Sequence, residues 1–207
     1  MIENIIDLVY DGREQRRDTT AISGLMVHRT GINLRHGYVL GHDAISICNA
    51  FLGKVERWQD VSRATGRQNA YTFYIGGDLG DKQYDGKIWQ ALPLSEVGHH
   101  ARRFSRPYIG IGCIGDFREV PPSTSQWTAL ADLCSDLCGL LGFDAGHVTG
   151  HGEVLGAHNG SKSPGTPGAC PGDLLDMARL REEVEIVMQA KAIHAADIRL
   201  KAAGLVF

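Results

Sequence analysis

"YIGIGCIGDF", residues 108–117, is an apolar run broken by glycines at positions 110, 112 and 115. It reads as a strand, and glycine inside a strand marks either a bulge or a place where another group comes close to the backbone. Upstream, "GLMVHRTG" (24–31) places Leu25, Met26 and Val27 in a short buried strand that ends at His28. "NAYTFYIGGD" (69–78) alternates aromatic and small residues before a turn at Gly76–Asp78, and "DGKIWQAL" (85–92) is a turn leading into another short strand. "HVTGHGEV" (147–154) supplies one more.

Helical segments lie between and after these strands. "GHDAISICNAFLG" (41–53) carries apolar residues at helical spacing and closes on Gly53. In "PPSTSQWTALADLCSDLCGLLGF" (121–143), Ser123 and Gln126 fit a capping box and Gly142 a stop. Its apolar face runs Trp127, Leu130, Cys134, Leu137, Cys138 and Leu141, so the two cysteines read as buried thiols and not as a metal pair. A long terminal helix is expected from Asp173 to about 203, and a short one in "ENIIDLVYDG" (3–12). The expected class is α/β (α+β). A single domain of 1–207 is expected, with a core at about 22–185, an N-terminal extension over 1–20 and a C-terminal helical extension over 186–207.

Bulk properties agree with this class. At 207 residues the chain is long enough for a real core. Its 26 glycines favour a loop-rich mixed protein over a helical bundle. A net charge of −3 argues against a general nucleic-acid binder. The N-terminus lacks the basic and apolar regions of a signal peptide, and no apolar run approaches the roughly 18 residues that span a bilayer. A soluble product is expected, with no membrane or nucleic-acid partner. Five cysteines without a secretion signal favour free thiols over a disulfide framework.

Chemistry gathers at strand ends and loops. His28 ends its strand, His151 ends or follows another, and Cys170 sits in "GACPG" before the last helix. Two imidazoles and a thiolate are three good zinc ligands that leave a fourth position open. Spacing alone says little, because the three come from distant parts of the chain.

The order of the blocks says more. "LMVHRT", "AYTFYIGGD", "VGHHARRF", "YIGIGCIGDF", "PPSTSQWTAL", "GHGEV" and "ACPG" together resemble the zinc-dependent N-acetylmuramoyl-L-alanine amidases of the type 2 class. That class includes phage lysozyme-amidases and peptidoglycan-recognition proteins, and the resemblance covers roughly residues 22–185. It implies a central mixed β-sheet flanked by helices, with a zinc cleft on one face. It also implies Zn2+ on His28, His151 and Cys170, an active-site tyrosine at Tyr71, and His100 lining the substrate groove. The implied reaction is hydrolysis of the amide between N-acetylmuramic acid and L-alanine in peptidoglycan or muropeptides. A phage endolysin acting on the cell wall after release, or a cytoplasmic enzyme on recycled muropeptides, would fit a chain without a signal.

The pattern also has departures. Gly168 stands two residues before Cys170, where many catalytic members carry lysine or threonine, and Gly112 stands where some carry glutamate. Thr166 or Lys162 would then replace the missing donor. Glu153 is a candidate base, with a structural role as its alternative, and Arg102, Arg103 and Arg106 form a basic cluster for stem-peptide carboxylates. Two other functions remain open. One is a recognition module that grips peptidoglycan without cutting it. The other is an amidase that also docks on and inhibits a protein partner through the C-terminal helix.

Overall fold

The computed structural model describes residues 1–4, 15–30, 32–33, 38–39, 71–78, 84–101, 104–154 and 169–203. Residues 5–12 of the helix expected at 3–12, the helix expected at 41–53, and Arg102, Arg103, Lys162, Thr166 and Gly168 lie outside them. The strands are β1 (Ile2–Asn4), β2 (Gln15–Arg16), β3 (Gly24–Arg29), β4 (Ile32–Asn33), β5 (Tyr38–Val39), β6 (Phe73–Ile75), β7 (Ile88–Gln90), β8 (Glu96–Val97), β9 (Tyr108–Cys113) and β10 (Val148–Gly150). Two helices follow β9: α1 (Thr124–Leu141) and α2 (Met177–Ala202).

Six strands form one mixed sheet in the order β1-β7-β6-β9-β3-β10. The run β6-β9-β3-β10 is parallel throughout, and β7 joins it antiparallel through β6. Glu3 and Asn4 therefore belong to a strand on β7, against the helix expected from residue 3. An open sheet edge outweighs local helical periodicity there, because it offers each backbone group a partner. The pairs β2/β8 and β4/β5 are separate two-stranded ribbons.

Alternation along the strands divides the sheet into two chemistries. Leu25 and Val27 of β3, Ile109 and Ile111 of β9, and Phe73 and Ile75 of β6 join the main core cluster, which includes Leu130, Leu133 and Cys134 of α1 and Leu180 and Val184 of α2. Leu180 and Val184 are completely buried, and burial of such side chains is worth about 1.5–3 kcal/mol each. Across the sheet, Met26 pairs in register with Gly110, and His28 with Gly112, which also faces Tyr74. That second face carries the site.

The ends of α1 were largely readable. The Ser123 side chain accepts from the Gln126 N–H at 3.0 Å, and Gly142 closes the helix in the left-handed region at φ 72°. The reciprocal half of the capping box is replaced. The Gln126 amide is buried and donates instead to the carbonyls of Ile75 (3.1 Å) and Ile114 (3.0 Å), so it satisfies carbonyls at the ends of β6 and β9. Cys134 and Cys138 are fully buried in the core, as their place on the apolar stripe implied. The distal part of α2 leaves Ile193 and Ile198 exposed. No helix among the described residues is long and apolar enough to cross a membrane.

Candidate metal centre

In open sheets with parallel strands, ligands gather at the carboxyl ends. Here His28 is the penultimate residue of β3, just before Arg29, and the neighbouring β10 runs directly into a 3₁₀ turn opened by His151. Cys170 arrives from the turn before α2. One ligand atom from each of His28, His151 and Cys170 lies within 4.8 Å of the others. The Cys170 Sγ is 3.7 Å from His28 Nδ1. A tetrahedral zinc with N and S ligands at their usual distances has an N···S edge of about 3.6 Å, so this donor set suits zinc in both identity and span. His28 is buried, while His151 and Cys170 are half-buried, so the cluster opens on one side. Burial pushes the Cys170 thiol up to about 11, against the pull of Arg29. A bound cation would reverse that preference, because a coordinating thiol is deprotonated.

One backbone hydrogen bond and the Arg29 side chain hold the three candidate ligands in place. The Gly152 N–H donates to the Cys170 carbonyl, which ties the His151 turn to the cysteine loop. Arg29, next to His28, donates to the Ala169 carbonyl at 3.2 Å and pairs with Asp116 at 3.5 Å. Asp116 is also gripped by Arg118, and these two arginines hold its carboxyl below the usual carboxylate range. Such a group adds stability above its unfolded value near 3.8 and loses it as pH falls through the lower folded value. Asp116→Asn is therefore expected to cost roughly 2 kcal/mol at neutral pH. In denaturant titrations at several pH values, the gap from wild type should close below about pH 4; a gap that persists in acid would refute the ion-pair account.

The glycines of β9 mark close approach, not a bulge, since β9 pairs in unbroken register with β3 and β6. A Cβ on Gly112 would lie 2.4 Å from Tyr71 Cδ2, and one on Gly110 would lie 2.7 Å from His100 Cδ2. Two rings thus rest on the sheet where side chains are missing. The Tyr71 ring lies 5.0 Å from the His28 ring and 5.3 Å from that of Tyr74. His100 Nδ1 is 2.9 Å from His28 Nε2, and His100 Nε2 is 3.3 Å from the Tyr108 carbonyl. Burial pulls His100 down to about 3, so the ring is neutral.

The other sequence candidates are placed differently. The Glu153 carboxylate accepts from Arg181 (2.9 and 3.1 Å) and from the Gly150 N–H (2.7 Å), which joins the 3₁₀ turn to α2. Burial works against that carboxylate, but the Arg181 and Gly150 hydrogen bonds outweigh it and keep the group ionised. The structure therefore brings His28, His151, Cys170, Tyr71 and His100 together, and it occupies Glu153 elsewhere. Sequence reasoning missed the Arg29–Asp116 brace and the His28–His100 contact. The available signals were an arginine directly after a ligand and a histidine in a loop between strands.

Comparisons with known proteins accord with this geometry. Residues 18–173 match the model of the family Amidase_2, N-acetylmuramoyl-L-alanine amidase. Over 59 residues the chain is 39% identical to peptidoglycan-recognition protein 2 of Holotrichia diomphalia, a match spanning 28% of each protein. Among solved structures, the N-acetylmuramoyl-L-alanine amidase LysC from Clostridium intestinale is similar at TM-score 0.55 and 18% identity, with 89% of this chain and 97% of that one covered. The Ph2119 endolysin of a Thermus scotoductus bacteriophage is similar at TM-score 0.57 and 19% identity, covering 89% and 99%. At these identities the two structures speak for the fold.

Proposed function

The chain belongs to the N-acetylmuramoyl-L-alanine amidase family, and from that premise we propose that it is a zinc-dependent amidase cleaving between the lactyl group of N-acetylmuramic acid and L-alanine of the stem peptide. The observation that carries the reading is the convergence of His28, His151 and Cys170 within 4.8 Å of one another. When bound, zinc supplies Lewis acidity, which polarises a carbonyl and acidifies a water molecule. The three side chains hold the metal and leave one face for substrate. Tyr71, packed on Gly112 beside His28, donates its phenolic hydrogen to the oxyanion that develops on the amide oxygen. The Arg29–Asp116 brace keeps the cysteine loop at the distance the ligands need.

A recognition module is the second reading, favoured by Gly168 where a lysine or threonine is expected and by the partial match to a recognition protein. The deciding experiment follows release of the alanine amino group from a defined muramyl peptide. Zinc-loaded protein should release it, a chelator should stop it, and added zinc should restore it. Binding of the peptide without any release, by folded zinc-loaded protein, would move the assignment to recognition.

A further inference from the structure

We infer that His100 is a positioning residue for the metal centre: it accepts the Nε2 hydrogen of His28 and so presents the Nδ1 of that ring to the metal. This rests on the zinc reading above. His28 Nδ1 faces the Cys170 Sγ at 3.7 Å, and its other ring nitrogen, Nε2, faces His100 Nδ1 at 2.9 Å. One nitrogen of that contact carries the hydrogen, and the far side of His100 decides which. His100 Nε2 lies 3.3 Å from the Tyr108 carbonyl, which only accepts. The His100 hydrogen therefore sits on Nε2, its Nδ1 is the acceptor, and His28 donates from Nε2. The lone pair of His28 is left on Nδ1, on the side of the cysteine.

The surroundings fix this acceptor independently of the metal. The His100 ring fills the space a side chain on Gly110 would need. The Ser105 Oγ accepts from the N–H groups of His100 (3.2 Å) and Ala101 (2.9 Å). Buried Arg17 donates to the Tyr108 carbonyl (2.7 Å) and to that of Leu94 (2.8 Å), pinning both ends of the segment that carries His100. Both ring nitrogens of His100 are thus engaged inside the protein, which separates its role from gripping substrate. Hydrogen-bond partners behind a ligating histidine set its tautomer and orientation.

Zinc affinity, measured by competition with a chromophoric chelator, tests this in the full chain. His100→Leu fills the space without an acceptor and should lower affinity about 10- to 100-fold. His100→Asn places Oδ1 near the position of Nδ1 and should recover most of that loss. Nitrogen-detected NMR of zinc-loaded wild type should find His28 bound through Nδ1 and protonated at Nε2, which does not depend on any variant folding. Ligation of His28 through Nε2, or wild-type affinity in a folded His100→Leu protein, would overturn the inference while leaving the amidase reading standing. A wild-type protein that takes up no zinc would remove both.

Discussion

Replacing Cys170 with serine is expected to strip zinc from the protein and to slow amide cleavage by at least about a thousand-fold, since Lewis-acid stabilisation is worth several kcal/mol and each 1.36 kcal/mol is tenfold. Serine keeps the shape of the side chain but not its chemistry. Its hydroxyl does not ionise near neutral pH, and the remaining donors are two imidazoles. Cys170 lies outside the main core cluster, and its carbonyl, not its sulfur, receives the Gly152 N–H. The fold should therefore survive, with metal-free thermal stability close to that of wild type. Metal analysis beside a turnover assay on a muramyl peptide checks both parts. A serine variant that loses its zinc and still cleaves at the wild-type rate would take the reaction away from this centre.

Gly112→Ala is the second large effect, and it acts through a residue with no side chain. The added Cβ would stand 2.4 Å from Tyr71 Cδ2. The backbone beneath cannot yield easily, because Gly112 is held between His28 on β3 and Tyr74 on β6. The tyrosine ring must lift, and misplacement of a catalytic group by about 1 Å costs on the order of a hundred-fold. Overpacking of this kind also costs about 1–3 kcal/mol of stability. Zinc affinity should stay near wild type, which distinguishes this variant from Cys170→Ser. Tyr71→Phe should lower turnover comparably, and the double variant should be little worse than either single one. Full turnover in folded Gly112→Ala would mean that the placement of Tyr71 does not matter. By the same geometry, any side chain at 112 would compete with the Tyr71 ring for one volume.

Much of the fold was legible from local pattern. The apolar runs became β3, β6, β7 and β9, and Ser123 and Gly142 marked the ends of α1, because caps and alternation depend on near neighbours. The strand at Ile2–Asn4 was not legible, since its cause is the free edge of β7, more than eighty residues away. The site divided in the same way. His28 at a strand end was visible as a candidate, but its meeting with Cys170 spans 142 positions, and only the ordered blocks pointed to it. Gly110 and Gly112 left a bulge and a close approach equally open. The answer lay in what covers them, rings that reach β9 from positions 71 and 100. The pattern of "HVTGHGEV" puts Glu153 on an extended segment, whereas a 3₁₀ turn delivers it to Arg181 on α2.

The parallel pairing of β10 with β3, and of β3 with β9, has a consequence for how the protein is made. Each of these contacts joins segments far apart along the chain, and such pairings form slowly because loop closure precedes the gain. His28 leaves the ribosome well before Cys170 does, and a nascent chain ending anywhere before 170 holds an incomplete donor set. On the zinc reading proposed above, metal capture would therefore come late in biogenesis, adding its stabilisation only once the sheet has closed. On that reading, free zinc would stabilise the finished protein by mass action on the folded form, and would have little influence on how fast the chain first collapses.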